Sequence, residues 1–165
     1  MNAWRSFTSI AAVTAGLLAG CAGNPFHGYD IAPGTARDAV LASMGTPTRV
    51  VKIAGGERFQ YSLQPFGQYA WMVDLDASGK VVRSRQVLTA NDFMRIEPGK
   101  WTREDVEREF GPPAQIDRVV SWSGPVMTYR WTDGSDMFYW VYLDAQGIVR
   151  RAHPGMEFHN APDRD

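Results

Sequence analysis

Cysteine is nearly absent from this chain of 165 residues: Cys21 stands alone. A single thiol excludes an internal disulfide framework and any cysteine-rich metal site. An excess of either charge is lacking as well, with 17 Lys and Arg against 18 Asp and Glu and a net charge of −1. Proteins that live on phosphate contacts normally carry a basic surplus, so nucleic acid is not expected as a partner. Histidine is limited to His27, His153 and His159. His153 and His159, even with Glu157, are not paired at helical or zinc-motif spacing, so no metal is expected. The Gly-x-Ser-x-Gly elbow, the P-loop and the dinucleotide fingerprint are all missing, and no cofactor is implied. The chain therefore reads as non-enzymatic. Apolar residues, by contrast, make up 44% and aromatics 12% of it. That is ample for a packed core and incompatible with wholesale disorder. The length suits one ordinary domain or two small ones.

Long hydrophobic runs are lacking too, and this matters at the N-terminus. Arg5 is followed by an uncharged stretch from Ser6 to Gly20. It is too short, and too diluted by Ser and Thr, to span the ~30 Å of hydrocarbon in a bilayer. Residues 1–20 read as an export signal instead. The segment ends Leu18-Ala19-Gly20-Cys21, which resembles the lipobox of bacterial lipoproteins. The resemblance implies that the Cys21 sulfur accepts lipid after cleavage at Gly20. Two or more acyl chains, palmitate among them, would hold the chain stably at a membrane where one would be marginal. Ala22 in place of aspartate implies, by the same resemblance, the outer membrane with the protein facing the periplasm. Residues 21–30 are rich in Gly, Pro and Asn without periodicity and read as a lipidated tether. Residues 159–165 read as a frayed polar tail.

The remainder contains an internal repeat. Ile31-Ala32-Pro33-Gly34 recurs as Ile96-Glu97-Pro98-Gly99, and Met44-Gly45-Thr46-Pro47 as Phe110-Gly111-Pro112-Pro113. Leu75-Asp76-Ala77-Ser78-Gly79 recurs as Leu143-Asp144-Ala145-Gln146-Gly147. The order is kept and the offset drifts only slightly, as small loop insertions would cause. Two units follow, 31–88 and 89–158.

Each unit reads as α+β: a short helical entry on an antiparallel meander. Thr102 is placed to cap a helix with Glu104 and Asp105 in its first turn. Val106 and Phe110 share one face, and Gly111-Pro112-Pro113 stops it. Thr35, Val40, Met44, Gly45 and Pro47 take the corresponding parts in the first unit. Thr89 to Met94 suits a further short helix. Strands are expected over Val50–Ile53, Arg58–Leu63, Tyr69–Asp74 and Lys80–Val87. In the second unit they are expected over Ile116–Trp122, Val126–Trp131, Met137–Leu143 and Ile148–Ala152. Turn residues such as Gly55-Gly56, Ser78-Gly79, Asp133-Gly134 and Gln146-Gly147 separate them.

The pattern of Pro-Gly, a short helix bearing Val, then Gly-x-Pro before strands resembles the SmpA/OmlA/BamE lipoprotein family. Pro98-Gly99, Thr102, Val106, Gly111 and Pro113 carry the likeness, with Pro33-Gly34, Val40, Gly45 and Pro47 in the first unit. It implies a non-enzymatic accessory in outer-membrane protein assembly or envelope integrity, with envelope proteins, the β-barrel assembly machinery among them, as partners. The tandem arrangement resembles the β-lactamase inhibitor protein, whose two sheets form one concave binding surface. That likeness implies the alternative function, capture of a periplasmic enzyme by an inhibitor or sensor.

Two carboxylate pairs, Asp74 with Asp76 and Asp133 with Asp136, could serve acid–base or calcium chemistry, but such residues beside Gly79 and Gly134 suit turns better. The aromatic pattern is more informative. Alternation sets Tyr139, Val141 and Leu143 on the face matching Trp71, Val73 and Leu75, the expected helix-covered core. The other face carries Phe138, Trp140 and Tyr142, where the first unit has Ala70, Met72 and Asp74. Thr128 and Arg130 point the same way from the neighbouring strand. Aromatics beside Arg are the composition of interface anchors. This face is therefore a partner-binding surface, a site for a ligand such as glycan that stacks on aromatics, or a face buried against the first unit or the C-terminal tail.

Overall fold

In the computed structural model, residues 31–157 are described. The expected signal, the tether with Cys21 and His27, and the tail with His159 lie outside the described residues. Pro-Gly punctuation and alternation give the order α1 (Arg37–Met44), β1 (Arg49–Ile53), β2 (Gly56–Ser62), β3 (Ala70–Asp76) and β4 (Val81–Gln86). There follow α2 (Ala90–Phe93), α3 (Arg103–Phe110), β5 (Gln115–Arg118), β6 (Pro125–Thr132), β7 (Asp136–Leu143) and β8 (Val149–Met156). The strands form two four-stranded antiparallel sheets, ordered β1-β2-β3-β4 and β5-β6-β7-β8. With the helices, this is an α+β architecture.

Local chemistry sets the ends of the elements. Thr102 accepts from the Asp105 amide, and the Asp105 carboxylate accepts from the Thr102 amide, a reciprocal capping box. The same cap is absent from α1. Thr35 spends its hydroxyl on the Ala32 carbonyl at 2.7 Å. The N-cap is Ala36, which has no side chain to offer, so Thr35 does not play the part of Thr102. Both helices stop at a glycine of positive φ, Gly45 at 77° and Gly111 at 80°, a conformation costly for any residue with a Cβ.

Several features occur once in each half. Tyr61 donates its hydroxyl to the Gly45 carbonyl at 3.1 Å, and Tyr129 donates to Gly111 at 2.8 Å. Asp76 accepts from the Ser78 and Lys80 amides, and Asp144 from Gln146 and Ile148. Isolated bridges join Ala36 to Lys80 and Thr102 to Ile148. An added Cβ at Gly56 would stand 1.9 Å from the Leu75 carbonyl oxygen, and at Gly124 2.0 Å from that of Leu143.

Two strands end four residues from their expected limits. β5 stops at Arg118, not Trp122, because the chain turns at once: the Trp122 amide bonds the Val119 carbonyl, and its indole N–H donates to Leu143 at 2.6 Å. β8 runs past Ala152 to Met156, through Pro154. A proline is tolerated there because β8 is an edge strand.

The core falls into two clusters. Val40 of α1, with Leu41 and Met44, packs on Phe59, Tyr61, Trp71, Val73, Leu75 and Val81 of the first sheet. The larger cluster joins Phe93, Val106 and Phe110 to Met127, Tyr129, Val141 and Leu143 of the second sheet, and also to Ala70 and Met72 of the first. The layers therefore run α1, first sheet, α2 with α3, second sheet. The first sheet is covered on both faces, so its Ala70–Met72–Asp74 side is interior (Met72 is 2% exposed). The two sheets do not together form one open concave surface. The helix between them takes the place such a surface would need.

Candidate functional site

The helix sandwich leaves one sheet face unoccupied among the described residues: the side of the second sheet turned away from α3. Pairing across β6, β7 and β8 aligns Val126, Tyr142 and Arg151 in one row, Thr128, Trp140 and His153 in the next, and Arg130, Phe138 and Gly155 in the third. Phe138, Trp140 and Tyr142 are all half-buried. Phe138 and Trp140 centroids are 5.7 Å apart, tilted by 45°.

Alternation in the sequence places these three rings, but it does not find the residues that join them. His153 stacks on Tyr142 at 5.4 Å and 20°, and sits 5.4 Å from Trp140. The Arg151 guanidinium lies 3.8 Å from the Tyr142 centroid and 5.7 Å from that of Trp122, a stacked cation–π arrangement. Trp122 meets Tyr142 edge-on at 5.5 Å. Gly155 is also part of this face. A Cβ there would stand 2.2 Å from the Trp140 ring, so glycine leaves the room that the edge of the indole occupies over β8. Only the continuation of β8 past Ala152 brings His153 and Gly155 here.

Thr128 and Arg130 share the face but are not open to a partner. Thr128 is 7% exposed; a short side chain paired opposite the Trp140 indole sits below the rings. Arg130 is spent internally. Its guanidinium pairs with Glu157 at 2.8 Å and donates to the Phe66 carbonyl at 2.8 Å. Its backbone is bracketed by Gln64, which accepts from the Arg130 amide and donates to its carbonyl at 2.7 Å. The network fixes the 63–69 loop beside the face and presents Phe66, 88% exposed, at its edge. Arg151, in contrast, meets no carboxylate among the described residues.

The carboxylate pairs do not assemble a reactive site. Asp74 is bonded to Arg58 and Arg83. Asp76 caps its own turn, and hydrogen bonds from Ser78 and Lys80 hold its carboxyl below the usual range. Asp136 accepts from Gln68 at 2.6 Å, and Asp133 sits in the exposed turn before it. No three His, Cys, Asp or Glu side chains come together as a metal set among the described residues. No helix there is long and apolar enough to cross a membrane.

Comparison with known proteins adds a weak likeness. No family model matches the chain, and no curated protein does. A crystal structure of a DUF4309 family protein (YjgB) from Bacillus subtilis is similar over 74% of this chain and 79% of its own, at 14% identity. Its TM-score of 0.31 is too low to bear on fold or function.

Proposed function

We propose that this chain is a non-enzymatic lipoprotein of the outer membrane, facing the periplasm, that binds envelope proteins through the outer face of its second sheet. In this reading it consists of two copies of one unit, each a short helix packed on a four-stranded meander. Acyl chains on Cys21 anchor it, residues 21–30 set its reach, and the stacked sheets hold the binding face rigid. Its role is an accessory one in outer-membrane protein assembly or envelope integrity, for which the β-barrel assembly machinery is a candidate partner. The observation that supports the binding face is the contrast between the two sheets. The side of the first sheet lined by Ala70 and Met72 is buried under α3, whereas the matching side of the second carries Phe138, Trp140, Tyr142 and His153 with no helix above it among the described residues. Half-buried aromatics with a stacked arginine that meets no carboxylate among the described residues form the kind of patch that protein partners desolvate. Anchoring would raise the local concentration of membrane-bound partners without any new contact.

The test is photo-crosslinking in living cells from a benzoylphenylalanine placed at Tyr142, together with Cys21→Ala. Adducts to a second envelope protein are expected, and Cys21→Ala should release the chain from the membrane fraction. Adducts confined to the same molecule would refute the binding face. A tight one-to-one complex with a periplasmic enzyme that persists without the lipid would replace the accessory role by the inhibitor or sensor role.

A further inference from the structure

The open face of the second sheet has a counterpart inside the molecule, and that counterpart is occupied. Tyr61 and Tyr129 take matching places, since each bonds the glycine that ends the preceding helix. The pairing registers then put Arg58, Gln60 and Met72 where the second sheet has Val126, Thr128 and Trp140. On the first sheet these positions hold α3. A Cβ at Gly111 would stand 3.4 Å from Met72 Cε, so the helix end sits directly on the sheet. Gln60 donates to the Glu107 and Arg108 carbonyls at 2.9 and 3.0 Å, and Arg58 to that of Arg108 at 3.0 Å. These satisfy acceptors that a helix C-terminus leaves unpaired. Arg49–Glu107 at 2.9 Å and Arg58–Glu109 at 3.1 Å complete the contact.

The second sheet lacks the charges of this interface at the matching positions, and α1, the counterpart of α3, lacks the complementary ones. Gln115 stands in place of Arg49 and Val126 in place of Arg58. Leu41 and Ser43 stand in place of Glu107 and Glu109. Ala39, Ala42 and Ser43 are exposed on α1, small residues facing outward at one end of the stack, while large rings face outward at the other. An array of stacked repeats needs polar end faces to stay apart in water, and on α1 the exposed charges, Arg37 and Asp38, are confined to the first turn.

Resting on the reading that the aromatic face binds protein, we infer that its partner is a second copy of this chain. The α1 helix of one molecule docks on the outer face of the second sheet of the next, as α3 docks on the first sheet within a molecule. Phe138, Trp140 and Tyr142 fill the space above Ala39, Ala42 and Ser43. The Trp140 indole N–H and the Tyr142 hydroxyl, bonded to nothing among the described residues, stand where Met72 and Asp74 lie and face the last carbonyls of α1. That helix has no basic residue in its last turn to serve them. The contact is heterologous, so it propagates head to tail.

The test uses the full-length chain in cells, where Cys21 is the only native cysteine. Two differently tagged copies are co-expressed, one with Ala42→Cys and one with Phe138→Cys, and oxidised with copper phenanthroline. A mixed disulfide dimer is expected at least tenfold above a control pairing Ala42→Cys with Val120→Cys. Adding Ala39→Arg, on the exposed side of α1, should lower the yield at least tenfold without changing the melting temperature. A yield no higher than the control, or one unaffected by Ala39→Arg, overturns the inference. If that happens while position 142 still crosslinks to another envelope protein, only the identity of the partner was wrong. If position 142 also gives no intermolecular adduct, the binding face itself is wrong.

Discussion

Arg58 on β2 and Asp74 on β3, cross-strand partners within the first sheet, form a forked ion pair at 2.5 and 3.0 Å, with both residues almost fully buried. The same guanidinium reaches the Arg108 carbonyl at the end of α3, so one side chain ties the first sheet to the helix that carries the second. Arg58→Leu should therefore destabilise the protein by roughly 3–5 kcal/mol, since a buried carboxylate loses its partner. Arg83, 3.3 Å from Asp74 but exposed, places the expectation at the lower end. Urea unfolding measures it, and the double variant Arg58→Leu with Asp74→Leu should recover much of the loss. A double variant as unstable as the single one would show that the pair does not act this way.

Gly155 and Trp140 should be coupled. Gly155→Ala sets a methyl against the indole and should cost roughly 1–3 kcal/mol, in the range of core overpacking. In a Trp140→Ala background the same substitution should be close to neutral. Thermal unfolding of the four-member cycle reads the coupling directly, and equal costs in both backgrounds would show that the indole does not lie on β8.

The capping asymmetry is open to change from both sides. Thr102→Ala removes the box on α3 and should lose about 1 kcal/mol. Ala36→Thr supplies the hydroxyl that α1 lacks and should gain roughly 0.5 kcal/mol, since its backbone is already extended for the role. Denaturant midpoints would show both shifts, of opposite sign.

Stability should fall on both sides of neutrality. On the acid side, burial raises the Asp105 and Glu107 carboxyls, but hydrogen bonds outweigh it: from Thr102 and Arg108 for Asp105, from Arg103 and Arg49 for Glu107. Both end below their usual range. A depressed folded pKa gives stability that is present above the unfolded value, about 4 for a carboxylate, and is lost as pH falls through the folded value. The melting temperature should hold from pH 7 to 5 and drop below pH 4, with a shallower drop in Glu107→Gln.

On the alkaline side the sign reverses. Burial pushes the Tyr61 hydroxyl up to about 12 despite Arg37, and raises that of Tyr129 well above the ordinary range. The unfolded chain then releases these protons first, near pH 10, so stability is lost as pH rises beyond that. Burial raises the Tyr139 hydroxyl in the same direction, so phenolate absorbance at 295 nm should show three tyrosines that ionise late, together with unfolding. Replacing Tyr61 or Tyr129 by Phe should remove one of them.

A local signal suffices for part of this architecture. Three registered motifs, each punctuated by glycine or proline, point to a repeat, and Thr102 with Asp105 announces its own helix start. Alternation sorted Tyr139 and Val141 from Phe138 and Trp140, because side-chain direction along a strand follows from its period alone. The same rule could not say that Thr128 lies beneath an indole, or that Arg130 is held by Glu157 and the 63–69 loop. These are contacts between segments far apart in the chain. Thr35 misled for a different reason: two hydroxyls near a helix start look alike in sequence, and only the position of the Ala32 carbonyl decides which one caps.

What the sequence determined by itself was the composition of each layer: apolar helix stripes, strands of known facing, and turns that permit few alternatives. What only the tertiary structure decided was which of two chemically distinct sheet faces is covered. The helix α3 packs on its own sheet with Val106 and Phe110 and on the preceding one through Glu107, Glu109 and its terminal carbonyls. A helix has two sides, and periodicity reports the apolar one. The second contact runs through ion pairs and backbone acceptors, which leave no hydrophobic period to read; it buries one face of the first sheet, while the aromatic face of the second meets no helix among the described residues.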